Sequence, residues 1–461
     1  MSPDSIRLQF YGATGYVTGS RTLLEYKNTR VYIDAGLYQG PQYIEEKNYK
    51  ELEHQPSSIS AVILTHAHID HSGLLPLLVK KGFKGKIYCT PATAELLHIL
   101  LPDAGKIQKE EFKFLSKKKI SQYDISEPLY TEEDALEALQ YINIVPFHKK
   151  IRHEDINLEF YWAGHILGAS YVHISCGKKK ILFSGDVGPI SPIIHKKRET
   201  PPPCDYLIVE STYGARLHEN KNFWEEFIKA VQIAIKRKGM LIIPSFAVGR
   251  TQTILYILYV LIREKKIIDL PIFIDSPMAT RATMIYLDHP EEILETIIEN
   301  GFYDYLKSKK IFLIEDVDES KRLNFFNGPG IIISASGMCN GGRIRHHLFN
   351  RIWDRRNVIL FVGYQGEGTL GRMILEGATR VKIFGRDLPV RAAIATINTL
   401  SAHADQAGLC QWINSIKESA PPSTIFINHG EDISRNELMH SLKLPEQTKV
   451  IIPRNEESFY L

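Results

Sequence analysis

Leu64-Thr65-His66-Ala67-His68-Ile69-Asp70-His71-Ser72-Gly73 follows an apolar run, Ala61 to Thr65, and precedes a segment that turns helical near Leu74. Three histidines and an aspartate within six residues have no place in a packed core. Imidazole and carboxylate donors converging at about 2.0–2.2 Å are what zinc requires. On an extended loop alternate side chains share a side, so His66 and His68 can meet one ion. The turn at Ile69 then lets Asp70 and His71 face a second position.

Around this loop, strand-like and helix-period segments alternate for most of the 461 residues. Apolar strand runs include Arg30–Ala35, Lys86–Thr90, Lys180–Ser184, Tyr206–Glu210, Met240–Pro244, Pro271–Asp275, Ile331–Ser334, Val358–Val362 and Thr424–Asn428. Helical periodicity marks Thr93–Leu115, Phe223–Lys236, Thr251–Arg263 and Glu291–Glu299. Such alternation predicts an α/β architecture with parallel strands in at least one part. The composition shift over Ser191–Pro203, where Pro201-Pro202-Pro203 follow the basic run His195-Lys-Lys-Arg, signals a domain crossing, with a weaker one near Arg391–Leu400. No repeat and no low-complexity tract interrupts the pattern.

A 44% apolar, 24% charged composition excludes disorder and fibres. Five scattered cysteines without a CxxC pair fit a reducing compartment and exclude a cysteine-built zinc site. The start Met1-Ser-Pro-Asp-Ser lacks the basic and apolar regions of a signal peptide, and no run approaches 18 apolar residues. A cytoplasmic protein without membrane contact is expected. Fifty-six basic against 53 acidic residues give +3, so a nucleic-acid surface would be a local patch. Lys106–Lys119 carries six lysines, read first as a solvated helix face and second as an electrostatic guide for phosphates.

Single residues at the ends of apolar runs extend the ligand list. Asp34 closes Tyr32-Ile-Asp-Ala-Gly; His165 lies in Ala163-Gly-His-Ile-Leu-Gly; Asp186 in Ser184-Gly-Asp-Val-Gly; His429 in Asn428-His-Gly-Glu. Strand ends beside glycine turns are where rigid sheets carry site residues. Together with Glu210 in Glu-Ser-Thr-Tyr-Gly and His403 in Ser401-Ala-His-Ala-Asp, the chain resembles the metallo-β-lactamase superfamily, specifically its β-CASP nuclease branch. Pro244-Ser-Phe-Ala-Val-Gly-Arg, Asp275-Ser-Pro-Met-Ala and Ser336-Gly-Met-Cys-Asn-Gly-Gly-Arg are similar to further segments of that branch.

The resemblance implies a four-layer αββα sandwich with an inserted α/β domain on a mainly parallel sheet. The expected divisions are residues 1–205 and 396–461 for the sandwich and 206–395 for the insertion. It implies two zinc ions per chain: His66, His68 and His165 on one, Asp70, His71 and His429 on the other, Asp186 bridging. Asp34 would hold a ligand histidine in its metal-binding tautomer. Asp70, Glu210 and His403 are the expected catalytic residues, with His403 as proton donor to the leaving ribose oxygen, oriented by Glu210. Two such ions supply a water ionised near neutral pH and polarise a phosphoryl oxygen.

The insertion is rich in loop donors. Ser245, Arg250, Ser336, Gly337, Arg343 and Arg372 are the expected substrate contacts, with Phe246 and Tyr364 as candidate stacking rings. His346 and His347 are assigned to a surface or phosphate-contacting helix face. The function implied is hydrolysis of RNA phosphodiesters, by internal and 5′-exonucleolytic cutting, with single-stranded RNA preferred and a homodimer left open. His429 favours RNA over DNA. Two other readings compete, a small-molecule metallohydrolase and a non-catalytic RNA-binding scaffold. The first leaves Glu210, His403 and the insertion idle; the second is expected to lose ligands. The chain is also expected to lack the long C-terminal extension and separate N-terminal RNA-binding domain of larger relatives.

Overall fold

The computed structural model describes residues 5–118, 127–218, 222–308, 310–366, 368–397, 399–417 and 421–461, without the side chains of 114–118 and 417. The end of the lysine run, including Lys119, falls outside the described residues. The chain divides into two compact units: residues 1–192, 196–217 and 403–461 form one, residues 193–195 and 218–402 the other.

The first unit holds two seven-stranded sheets. One runs in the order Ser458–Tyr460, Ile6–Tyr11, Arg21–Tyr26, Thr29–Ile33, Ala61–Ile63, Lys86–Cys89, Ile142–Ile144. The other runs Lys449–Ile451, Thr424–Ile427, Tyr206–Val209, Lys179–Phe183, Ser170–Cys176, Ile156–Trp162, Ile151–His153. In the first sheet pairing is parallel from Thr29–Ile33 to Ile142–Ile144; in the second it is parallel from Lys449–Ile451 to Lys179–Phe183. Their facing sides share one core: Leu8, Phe10, Ile33 and Ile63 from one sheet, Phe160, Ile174, Phe183 and Phe426 from the other. Phe10 and Phe426 pack with ring centroids 5.4 Å apart. Each such side chain contributes about 1.5–3 kcal/mol by leaving water. The outer faces are covered too. Leu23, Val62 and Ile87 are fully buried on one sheet, and Tyr171 on the other meets Trp412 of helix Gln406–Lys417 at 4.9 Å. Helices Leu75–Lys80, Pro91–Lys118 and Glu132–Leu139 occupy the connections of the first sheet. The last starts at a capping box in which Thr131 Oγ1 accepts from Asp134 N and the Asp134 carboxylate accepts from Thr131 N.

Strand Tyr206–Val209, assigned from sequence to the insertion, pairs in parallel with Lys179–Phe183 and Thr424–Ile427 and so lies in this first unit. The proline run at 201–203 itself lies in the first unit; residues 193–195, just before it, belong to the second, and the longer crossing comes at 217/218.

The second unit is built on six strands in the order Ile311–Ile314, Ile272–Asp275, Gly330–Ser334, Met240–Pro244, Val358–Val362, Ala393–Ile397. All five pairings are parallel. The strands Met-Leu-Ile-Ile-Pro, Gly-Ile-Ile-Ile-Ser and Val-Ile-Leu-Phe-Val are buried at every position, as sheets covered on both faces require. Helix Phe223–Lys236 precedes the first of these strands in sequence, and helices Arg250–Arg263, Pro277–Asp288 and Ile344–Arg351 lie between them. The helix expected over Glu291–Glu299 is two shorter pieces, Pro290–Glu292 and Glu295–Glu299. Ile293 between them is extended and bridges to His195, so sheet-type pairing overrides the helical pattern.

Among the described residues no helix is long and apolar enough to cross a membrane.

Candidate metal centre

The strand Ala61–Ile63 delivers the chain into the loop Leu64–His68 and a four-residue helical turn, Ile69–Ser72. Asp34, at the end of the neighbouring strand, braces that loop by accepting from Thr65 N at 2.8 Å and Thr65 Oγ1 at 3.0 Å. Ser72 Oγ closes the turn by donating to the carbonyls of Ala67 and His68. Gly36 is dictated by proximity, since a Cβ there would fall 1.7 Å from the Asp70 carbonyl oxygen. Three parallel strands of the second sheet end at the same place and carry Asp186, Glu210 and His429 just beyond Phe183, Val209 and Ile427. His165 comes from the connection between Ile156–Trp162 and Ser170–Cys176.

All seven residues expected to bind metal converge in two overlapping groups, His66-His68-His165-Asp186 and Asp70-His71-His429 with Asp186 beside them. His68 Nδ1 stands 3.1 Å from His66 Nε2 and 3.2 Å from His165 Nε2. Asp186 Oδ2 is 3.4 Å from His66 Nε2 and 3.5 Å from His165 Nε2. On its other side, Asp186 Oδ1 is 3.4 Å from His71 Nε2 and 3.5 Å from His429 Nδ1. His71 Nε2 and His429 Nε2 lie 3.0 Å apart, and Asp70 Oδ2 is 4.0 Å from the first and 3.8 Å from the second. Donors about 2.0–2.2 Å from one tetrahedral ion must lie about 3.3–3.6 Å apart, so these separations fit cation binding. A further observation agrees. Asp186 Oδ1 is buried yet accepts no hydrogen bond among the described residues, a costly state for a carboxylate unless a cation serves it.

The electrostatics divide the cluster. Burial holds His66 and His68 below the usual imidazole range, so both present lone pairs. Burial opposes charge on Asp186, but the surrounding histidines, His71 first, hold its carboxyl well below the usual range. His71 is raised despite burial, by Asp186 and by Asp34, whose Oδ2 sits 2.7 Å from His71 Nδ1. Asp34 is placed to accept an N–H from His71 Nδ1, with Nε2 facing Asp186 and His429. Thr65, which the sequence reading did not single out, performs the same service 3.0 Å from His66 Nδ1; its place beside the first histidine was the available signal.

His403 joins the cluster from the start of the segment that returns to the first unit. Its Nδ1 is 3.2 Å from Glu210 Oε1 and its ring centroid 4.4 Å from that of His165. Burial lowers its pKa, but Glu210 and Asp186 outweigh that and raise it to about 9. Glu210 also accepts from Val187 N at 2.7 Å, which ties it to the residue after Asp186. Asp70 and His403 are partly exposed, at 21% and 20% of their side chains, and His68 is partly buried, while His66, His71, His165, Asp186 and His429 are buried.

The expected substrate contacts all lie in the second unit, on loops following its parallel strands or in the helices after them. Ser245 is buried, accepting from Thr251 Oγ1 at 3.1 Å. Ser336 Oγ and the Gly341 backbone bond each other, and the Gly337 carbonyl accepts from Gln365. Arg250 opens helix Arg250–Arg263, and Arg372 pairs with Glu376 at 2.6 Å. Phe246 and Tyr364 are about half exposed. Arg343 and His347 depart from the sequence reading. The Arg343 guanidinium is committed internally to Asp275 Oδ1 at 2.7 Å and to the carbonyls of Ile314 and Glu315. His347 is buried, with Nε2 2.6 Å from Asp275 Oδ2, instead of facing outward. One carboxylate buried at the end of strand Ile272–Asp275 is thus served by both side chains.

Three family patterns cover most of the chain. The metallo-beta-lactamase superfamily pattern matches residues 17–213, the beta-Casp domain 251–374, and the Zn-dependent metallo-hydrolase RNA specificity domain 387–453. A ribonuclease from Thermus thermophilus is 33% identical over 93% of this chain and 94% of its own length. An RNase J-like protein from Methanocaldococcus jannaschii is 32% identical over 92% and 93%. The transcription termination factor FttA of Methanosarcina mazei is 30% identical over 97% of this chain and 70% of its own. A crystal structure of a protein of unknown function from Enterococcus faecalis V583 shares the fold, with TM-score 0.57 at 13% identity over 99% of this chain and all of that one. By these matches the chain belongs to the metallo-β-lactamase superfamily, as an enzyme of its β-CASP ribonuclease branch.

Proposed function

We propose that this chain hydrolyses single-stranded RNA with two zinc ions, held by His66, His68, His165 and by Asp70, His71, His429, with Asp186 shared. The observation that carries this reading is the Asp186 carboxylate, one oxygen turned to each donor group. When bound, such ions lower the pKa of water and polarise a phosphoryl oxygen. The protein's own part is to bring the phosphate to the partly exposed residues Asp70 and His403. His403, its Nδ1–H accepted by Glu210, carries on Nε2 the proton that the leaving ribose oxygen requires. Glu210 and Asp186 outweigh burial and raise the His403 pKa to about 9, which keeps that proton in place for transfer.

The recessed position of the donors favours a flexible strand, since an A-form duplex is too wide to bring one phosphate to a buried cluster. Glycine-bearing loops of the second unit, with Arg250 and Arg372, supply sequence-blind phosphate contacts, so binding weakens with salt. The full ligand set disfavours a scaffold, and the RNA specificity domain disfavours a small-molecule hydrolase. The test uses matched RNAs, one linear with a 5′ monophosphate, one covalently circular, and the duplex of each. Cleavage of the circle demonstrates internal cutting, and mononucleotides from the linear form demonstrate 5′ exonuclease action. Duplex cut as fast as single strand refutes the strand preference; a lactam or thioester hydrolysed far faster than any RNA refutes the substrate class.

A further inference from the structure

A histidine that binds metal through one nitrogen needs an acceptor for the N–H of the other. His71 has Asp34, and His66 has Thr65. For His429 the nitrogen aimed at the second donor group is Nε2, 3.0 Å from His71 Nε2 and 3.8 Å from Asp70 Oδ2. Its Nδ1 is 3.3 Å from Thr212 Oγ1 and 3.5 Å from Asp186 Oδ1, and the latter oxygen is the one turned toward the second metal position. The Thr212 hydroxyl has the His429 carbonyl as an acceptor at 3.4 Å, and a proton turned there leaves its lone pairs facing Nδ1.

Thr212 is itself held in place. Its backbone N–H donates to Glu210 Oε2 at 3.1 Å, while Glu210 Oε1 faces His403. The intervening Ser211 binds the strand end that carries His429, donating through N to the His429 carbonyl at 3.0 Å and through Oγ to the Asn428 carbonyl at 2.8 Å. His429 has φ 46°, and its N–H donates to the Ala13 carbonyl, so its backbone is pinned and the ring's remaining freedom is rotation and tautomer.

We infer that Thr212 is a positioning residue that accepts the Nδ1–H of His429 and thereby presents the Nε2 lone pair to the second metal ion. The tripeptide Glu210-Ser211-Thr212 then sets both the proton donor, through Glu210, and the second metal position, through Thr212. This rests on the two-ion reading above.

The experiment strips the full-length protein of metal and titrates zinc against a competing chelator, for wild type, Thr212→Val and Thr212→Ser. Valine keeps the shape and removes the hydroxyl; serine restores it. Thr212→Val should weaken the second ion by about 10–100-fold, the usual effect of losing such a partner, and leave the first nearly unchanged. Thr212→Ser should recover most of the affinity, and added zinc should rescue RNA cleavage by Thr212→Val. Two equally tight ions in Thr212→Val, or a serine variant as weak as valine, overturns the inference. A lower melting temperature of the metal-free variant with unaltered zinc affinities also overturns it, as a purely structural role. Should Thr212→Val not fold, ¹⁵N NMR of the zinc-loaded wild type decides: His429 should be protonated on Nδ1, and protonation on Nε2 refutes the assignment. A wild type that binds one ion brings down the two-ion reading itself, a different result from two ions insensitive to Thr212.

Discussion

Replacing Asp34 by Asn probes how the fold sets a ligand's tautomer without touching the ligand. Asp34 Oδ1 accepts from Thr65 N and Oγ1, while Oδ2 faces His71 Nδ1 at 2.7 Å. Asparagine keeps one oxygen, and Thr65 claims it, which turns the amide NH₂ toward His71 Nδ1. A donor facing Nδ1 forces the ring proton onto Nε2, the atom aimed at the second metal position. Flipping the amide leaves the buried Thr65 N–H without an acceptor, at about 1–3 kcal/mol. Neither arrangement is as good as the carboxylate, and the expected loss is about 10–100-fold in affinity, or about 1.4–2.7 kcal/mol. Backbone strain does not confuse the result, because Asp34 sits at φ 61°, where asparagine is well tolerated and alanine is not. Zinc titration of metal-free protein against a chelator should show the second ion weakened and the first little changed. Equal affinities for both ions in Asp34→Asn and wild type would refute the reasoning.

Asp186→Ala should lose both ions in metal analysis, because each carboxylate oxygen faces one donor group; retention of one tight ion argues against sharing. His403→Ala should keep its zinc yet lose about 10²–10⁴ in kcat, and a parallel fall in zinc content makes His403 a ligand instead. His195, buried against the Tyr286 hydroxyl at 2.7 Å, has its pKa lowered to about 3 by burial and then by Arg250. The folded state therefore keeps it neutral while the unfolded chain takes a proton below about pH 6.5, so its contribution to stability falls as pH drops from there toward 3. His195→Gln should make stability less steep over pH 6.5–4 by close to one proton, and an unchanged slope contradicts this account.

The converging His and Asp cluster was legible because rare residue types are concentrated at strand ends, and the HxHxDH loop does so within six positions. The all-parallel sheet of the second unit was equally visible, as its strands are apolar at every position. The antiparallel strands Ile151–His153, Ile156–Trp162 and Ser170–Cys176 were not, since Asn157, Glu159 and His173 face away from the core and break the apolar runs. Arg343 and His347 read as surface cations because their partner, Asp275, lies 68 and 72 residues away. Thr212 carries no chemical signature, and only its distance to a histidine nitrogen reveals it; Thr65 had only its place beside His66 to mark it.

The central claim, metal-dependent RNA hydrolysis by this one cluster, is tested by following end-labelled single-stranded RNA with metal-stripped protein as zinc is returned. The account predicts no cleavage without metal and recovery that reaches its full rate near two ions per chain. Undiminished cleavage by the stripped protein, or a full rate at one ion, would contradict it.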